Sequence, residues 1–164
     1  MDVTDKPRLV AHIDILGMST LVKNDFPSAW GMLSDLISVR NNSRKFEYEF
    51  LDLKDSIKVF ERIEILTFSD TLLLFTVGDS ALEMRAMIIL VAEIFHKALC
   101  QCVPVRAGIA HGQFWFNFDE SMYAGLALVD AYEVGESSQW LGISLSDSVK
   151  ELARAQSLRS LNHE

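Results

Sequence analysis

Cations are scarce in this chain of 164 residues: 15 Lys and Arg stand against 23 Asp and Glu, for a formal charge of −8. That balance argues against a nucleic-acid polymer as partner, because a phosphate backbone needs a basic face. It leaves room for a single nucleotide held through a metal ion. Cysteine is nearly absent. Cys100 and Cys102 lie two residues apart, too constrained for an ordinary disulfide, and two thiols alone do not complete a zinc site. They are expected to be reduced core residues. Long apolar runs are missing too. The longest, "AMIILVA" (Ala86 to Ala92), is too short to span a bilayer, and the opening "MDVTDKPRLV" lacks the apolar stretch of a signal peptide. A soluble, cytoplasmic protein is expected. There is no internal repeat, low-complexity tract or long linker. With 49% apolar residues, the chain is expected to form one domain, 1–164, burying roughly 70% of its unfolded surface.

What is present alternates between strands and helices. "RLVAHIDIL" reads as a buried strand ended by Gly17, and "STLVKNDFPSAWGMLSDLISVR" has helical spacing with a break at Pro27. "NNSRK" (Asn41 to Lys45) reads as a turn. "FEYEFLDLKDSIKVF" alternates at first and then reads as a short helix. "IEILTFSDTLLLFTV" reads as a hairpin, two apolar strands about Ser69-Asp70. Asp79, or Ser80 with Glu83 as a capping box, then opens a helix over Leu82 to Cys100 that is apolar almost all round. "VPVRAGIAHGQFWF" reads as a strand pair with glycines at Gly108 and Gly112. A helix over "YAGLALVDAYEVGESS", a strand "WLGISLS" and a helix "SDSVKELARAQSL" complete the chain. Interleaved strands and helices around a central hairpin suggest an α/β (α+β) fold, a ferredoxin-like mixed sheet with packed helices.

In such a sheet the first strand is central and lies beside the hairpin. Asp14, at the end of that strand, and Asp70, at the hairpin tip, can converge at one sheet edge. Two converging carboxylates repel unless a cation lies between them. Oxygen ligands suit Mg²⁺ or Mn²⁺, with a substrate phosphate completing the shell. The turn "ILGMS" leads into a helix whose free backbone N–H groups would face an anion.

These segments resemble the class III nucleotidyl cyclases. "HIDILGMST" is similar to the family's first metal-binding segment and "FSDTLLLF" to its second, with Ser69-Asp70 where Gly-Asp is usual. "VRAGIAHGQFW" is similar to its Val-Arg-x-Gly-Ile-x-x-Gly strand pair, and "YAGLALVDAYEVGESSQWLGISLS" to the helix and last strand of the catalytic domain. The resemblance runs from about Leu9 to Leu152. It implies that Asp14, Asp70 and the carbonyl of Ile15 hold two divalent ions, Mn²⁺ or Mg²⁺. It also implies that backbone groups of Gly17, Met18 and Ser19 lie near a triphosphate, and that Arg106 contacts phosphate. The combined charge of a triphosphate and two carboxylates exceeds that of two divalent ions, which calls for cations such as Arg106. Lys150 and Arg154 are further candidates.

The departures from the family bear on the substrate. Purine cyclases carry a base-reading lysine four residues before the second metal Asp; here that position is Leu66. Adenylate cyclases carry an Asp three residues before the glycine matching Gly125; here it is Met122. An Asn and an Arg normally follow that glycine by four and eight residues; here they are Val129 and Glu133. "HIDILGMS", "FSDTLLLF" and "ALVDAYEVGES" resemble one branch, the pyrimidine cyclases of the bacterial Pycsar anti-phage system. That branch implies UTP as substrate and cyclic UMP, less often cyclic CMP from CTP, as a messenger read by a separate effector; the alternatives are a purine (adenylate or guanylate) cyclase with an unusual pocket and a degenerate cyclase-like domain that binds nucleotide without turnover. Leu66, Phe68, Met122 and Tyr48 are candidates for the base pocket. His12 and His111 read as structural. The family also implies a homodimer with shared active sites, and the 82–100 helix and the Phe114-Trp115-Phe116 cluster offer apolar surface for one.

Overall fold

The computed structural model describes residues 6–50 and 54–161. The chain opens with β1 (Lys6–Ile15), α1 (Met18–Asn24) and α2 (Phe26–Ser43). A small ribbon of β2 (Glu47–Phe50) and β3 (Asp55–Lys58) and the single turn α3 (Val59–Arg62) follow. The hairpin β4 (Ile63–Phe68) and β5 (Thr71–Thr76) leads into α4 (Ala81–Cys100). The chain closes with β6 (Val105–Asn117), β7 (Met122–Ala124), α5 (Leu126–Ser137), β8 (Ile143–Leu145) and α6 (Asp147–Leu161). The main sheet runs β4-β5-β1-β6-β7, antiparallel throughout, with β8 joining β6 in parallel. The mixed sheet, its central first strand and its hairpin neighbour are as the sequence predicts.

Period-two alternation in β1 decides what lies on each face. Leu9, Ala11, Ile13 and Ile15 are buried in the main core with α2 and α4. Val10, His12 and Asp14 point the other way. There a second core of Val10, Leu73, Phe75, Ala110 and Phe114 is covered by Ala127 and Ala131 of α5. A helix covering a sheet with small side chains can come very close to it. At Gly108 a Cβ atom would stand 2.0 Å from the carbonyl oxygen of Ala131 and 2.7 Å from the nitrogen of Gly135. The stripe Ala127, Ala131, Gly135, one residue per helical turn, is buried against this strand.

Several local expectations are corrected. "VPVRAGIAHGQFWF" is not a strand pair but part of the single 13-residue strand β6; its two glycines admit α5, Gly108 under Ala131 and Gly135, Gly112 beside Ala127. His111 accordingly sits within β6, opposite Leu9, and its Nε2 lies 3.1 Å from Asp79. Asn41 to Ser43 continue α2 rather than forming a turn. Two side chains tie that end of α2 to β4: Arg40 donates to Thr67 Oγ1 (2.6 Å) and Arg44 to the Ile65 carbonyl. The helical break falls at Asp25, which caps α2 by accepting from the Ser28 N–H, and Pro27 sits in the first turn, where proline is tolerated. Ser80 and Glu83 form the expected capping box of α4. Cys100 and Cys102 are exposed, not core. α4 ends at Cys100, and Val103 turns inward in their place. Phe114 is fully buried against Phe75, with ring centroids 4.9 Å apart, so it adds nothing to a docking face. No described helix is long and apolar enough to cross a membrane.

The contact at Gly108 gives a direct test. Gly108→Ala is expected to lower stability by about 3 kcal/mol, since neither backbone can retreat from the added carbon. Gly31→Ala in α2 meets nothing within 4 Å and is expected to gain up to about 1 kcal/mol from helix propensity. Urea midpoints of both variants check this, and an unchanged midpoint for Gly108→Ala would show that α5 is not pressed onto β6.

Candidate active site

Residues directly opposite one another in antiparallel strands share a face. One row across the sheet is Phe68, Thr71, Asp14 and Arg106; the next is Leu66, Leu73, His12 and Gly108. Asp14 is therefore flanked by Thr71, whose hydroxyl donates to it at 3.3 Å, and by Arg106, whose Nη2 lies 3.6 Å from Asp14 Oδ2. Backbone bonds fix the strand end on both sides. The Ile15 N–H donates to the Asp70 carbonyl at 3.2 Å, and the Leu16 N–H to the Pro104 carbonyl at 2.8 Å. Ser69 makes the hairpin tip by taking a left-handed conformation, φ 52°. Asp70 is thereby held next to the end of β1.

The environment of Asp14 is unfavourable to its charge. Burial, and then the Asp70 carboxylate, push its pKa above the usual carboxylate range; Arg106 and the Thr71 hydroxyl oppose this without prevailing. His12, one row back, is held below the usual imidazole range by burial and by Arg106. It stacks edge-on against Tyr132 of α5, with ring centroids 5.3 Å apart. His12 is thus a neutral packing residue at neutral pH.

Beyond Ile15, Gly17 adopts φ 75° and leads into α1 without a side-chain cap. The N–H groups of Gly17, Met18 and Ser19 stand at that end, where a helix has no internal partners for them. Met18 anchors the turn by burying its side chain.

In the sequence Glu136 appears only as the last residue of the Ala131-Tyr132-x-x-x-Glu136 pattern in "ALVDAYEVGES", with no role attached; in the structure it stands in the cluster. Its carboxylate is in direct contact with the Arg106 guanidinium, which it shares with Asp14. The signal that points to it is the Ala127-Ala131-Gly135 stripe: once that stripe lies on β6, Tyr132 and Glu136, one turn apart, flank it on the β1 side.

Other candidates fall elsewhere. Leu66 and Phe68 share the Asp14 face; Leu66 packs on the second core and the exposed Phe68 meets Tyr123 edge-on at 5.4 Å. Met122 is exposed opposite Asn117 in β7, on the reverse side of that strand from Tyr123, so it is not brought to Phe68. Tyr48 is not brought to the site either. It packs beside Phe46 on the main core, its hydroxyl buried and its pKa raised by burial and by Glu93 of α4. Lys150 pairs with Asp147 on its own helix at 2.8 Å. A cavity of about 720 Å³ opens far from Asp14, where Lys6 begins β1, and shares no residue with the cluster.

No family model matches this sequence, and no curated protein matches it by sequence. Solved structures do match. The adenylyl cyclase CyaB from P. aeruginosa is 16% identical with a TM-score of 0.69, over 94% of this chain and 84% of that one. The monomeric guanylyl cyclase domain of the RhoGC fusion protein from Blastocladiella emersonii is 14% identical with a TM-score of 0.66, over 94% and 90%. The fold is that of the class III nucleotidyl cyclase catalytic domain. A class III adenylyl cyclase-like ATP-binding protein from Pseudomonas aeruginosa shares the fold at 9% identity and a TM-score of 0.63, over 92% of this chain and 36% of that one.

The donor set of this cyclase-like domain fits divalent cations of the kind class III cyclases use. Among the described residues no three His, Cys, Asp or Glu side chains are placed to hold a metal ion by themselves. Asp14, with the Asp70 carboxylate near enough to raise its pKa, would suit a hard cation that takes its remaining oxygens from a ligand.

The raised pKa of Asp14 carries a stability prediction. The folded chain holds this proton more tightly than the unfolded chain, so ionisation of Asp14 destabilises the fold. The penalty is absent below the unfolded carboxylate pKa and grows as pH rises through the higher native value. Asp14→Asn is therefore expected to raise the melting temperature at neutral pH without divalent metal by about 2–4 °C, the shift that ~1 kcal/mol gives in a chain of this size. The gain should vanish as the pH falls below the ordinary carboxylate range. A lower melting temperature at neutral pH would contradict the assignment.

Proposed function

We propose that the chain is a nucleotidyl cyclase that converts UTP to 3′,5′-cyclic UMP and pyrophosphate. The observation that carries the reading is Asp14 at the end of β1, its charge opposed by burial and by the nearby Asp70 carboxylate, with the Arg106 guanidinium 3.6 Å away. The 3′-oxygen of the nucleotide forms a bond to its own α-phosphorus, and the bond from that phosphorus to the β-phosphate oxygen breaks. Divalent ions, when bound, lower the cost of deprotonating the 3′-hydroxyl and of charge on the leaving group. Asp14, Asp70 and the Ile15 carbonyl would hold them. The Gly17 turn and Arg106 supply donors to the phosphates. Base choice rests on shape. Leu66 replaces the charged reader of purine cyclases and lies on the Asp14 face, with Phe68 narrowing the same side. The cyclic product would act as a messenger for a separate effector, as in the anti-phage branch that the motifs resemble.

The site is open in a single chain. α5 shows Leu126, Val129 and Tyr132 to solvent at 68%, 49% and 48% exposure, beside the exposed Phe68 and Phe118. We take this apolar face to receive a second copy, giving a twofold dimer with two equivalent sites and additional cations. A second reading is a domain that binds nucleotide without turnover. It is favoured by Val129 and Glu133, which replace the family's Asn and Arg on α5.

Incubation with UTP, CTP, ATP and GTP in parallel with Mn²⁺, with products identified by mass, separates these readings. Cyclic UMP is expected in excess, abolished by Asp14→Ala or Asp70→Ala, with specific activity falling on dilution as dimers dissociate. ATP or GTP cyclised as fast as UTP would overturn the substrate. UTP binding without product would favour the second reading.

A further inference from the structure

Arg106 has two carboxylate partners, and both cannot serve it equally once a divalent ion arrives. Its Nη2 lies 3.6 Å from Asp14 Oδ2, on the carboxylate that the reading above assigns to metal, and the same nitrogen contacts Glu136 Oε1. A divalent ion bound to Asp14 would stand within a few ångströms of the guanidinium, and like charges at that range in a partly buried site repel strongly. Arg106 is 16% exposed, so bulk water does little to screen it. Without another partner it would have to leave the site or keep the metal out. Glu136 provides that partner from α5, and α5 is fixed by the close contact of Ala131 and Gly135 with Gly108.

We propose that Glu136 is a positioning residue: it already holds the Arg106 guanidinium and keeps it when a divalent cation takes Asp14, so metal displaces arginine from one carboxylate while the arginine stays in place for phosphate. The inference rests on the metal-site reading. In the metal-free protein Arg106 is shared between Asp14 and Glu136. In the loaded protein Glu136 neutralises Arg106. Glu136 therefore acts on metal affinity through Arg106, not as a ligand.

Mn²⁺ binding to the full chain without nucleotide, followed by titration calorimetry, tests this. Glu136→Gln removes the second seat and strengthens the hold of Arg106 on Asp14, so Mn²⁺ is expected to bind about fivefold more weakly. Glu136→Asp should recover most of the loss. Arg106→Gln removes the competitor, and Mn²⁺ should then bind more tightly than to the unmodified protein. Adding Glu136→Gln to Arg106→Gln should change the affinity by less than about twofold, because the residue through which Glu136 acts is gone. Unaltered Mn²⁺ affinity in Glu136→Gln would overturn the proposal. So would an equal loss with and without Arg106, which would make Glu136 a direct ligand. If the unmodified protein binds no Mn²⁺, with or without a non-hydrolysable UTP analogue, while retaining its melting temperature, the metal-site reading itself fails. If it binds Mn²⁺ and only the cycle fails, that reading stands and this inference does not.

Discussion

Asp14 and Asp70 lie on backbone segments bonded to each other, so their charges cannot be separated by moving the hairpin tip away from β1. The register of β1 against β5 places Asp14 opposite Thr71, and the Ile15 N–H bond to the Asp70 carbonyl ties the hairpin tip to the strand end. The charge of Asp14 is then costly, and that cost sets the chemistry around it. Arg106 stands across the neighbouring strand pair, Thr71 donates a hydrogen bond, and Glu136 shares the Arg106 Nη2 with Asp14. On the proposed reading, a hard divalent cation would satisfy such a site better than the arginine does, because it can bind carboxylate and still accept ligand oxygens.

The second constraint is the distance of α5 from the sheet. Small residues at Ala127, Ala131 and Gly135 let the helix backbone approach β6, and Gly108 leaves the space. The helix gains modest hydrophobic burial from alanines and glycine, but the short distance brings Tyr132 to His12 and Glu136 to Arg106. The same geometry turns Leu126, Val129 and part of Tyr132 outward. One packing choice thus builds one wall of the candidate site and leaves apolar side chains of α5 exposed.

Much of this was legible in the sequence because it follows from short-range rules. Alternation in "RLVAHIDIL", Gly17, the Ser69-Asp70 hairpin and the Ser80–Glu83 box each declare a local structure, and together they place Asp14 beside Asp70. What was not legible depended on contacts between distant segments. Gly108 and Gly112 look like strand breaks until α5 is seen lying on them. Asn41 to Ser43 look like a turn until Arg40 and Arg44 reach β4. Tyr48 reads as a base-pocket aromatic, but its ribbon packs on the main core, on the face away from Asp14. Glu136 ends a helix pattern the sequence does show, but its partner Arg106 emerges only when the stripe beside it is recognised as the buried one.

The central claim is that Asp14 and Asp70 share metal and that Arg106 yields to it. A crystal structure of the protein with Mn²⁺ and a non-hydrolysable UTP analogue, with anomalous scattering recorded for manganese, tests this most directly. The account predicts an anomalous peak within coordination distance of both carboxylates, Arg106 withdrawn from Asp14 onto Glu136 and the phosphates, and the pyrimidine on the Leu66 face. Nucleotide bound elsewhere, or manganese absent from Asp14 with the Asp14–Arg106 pair intact, would contradict it.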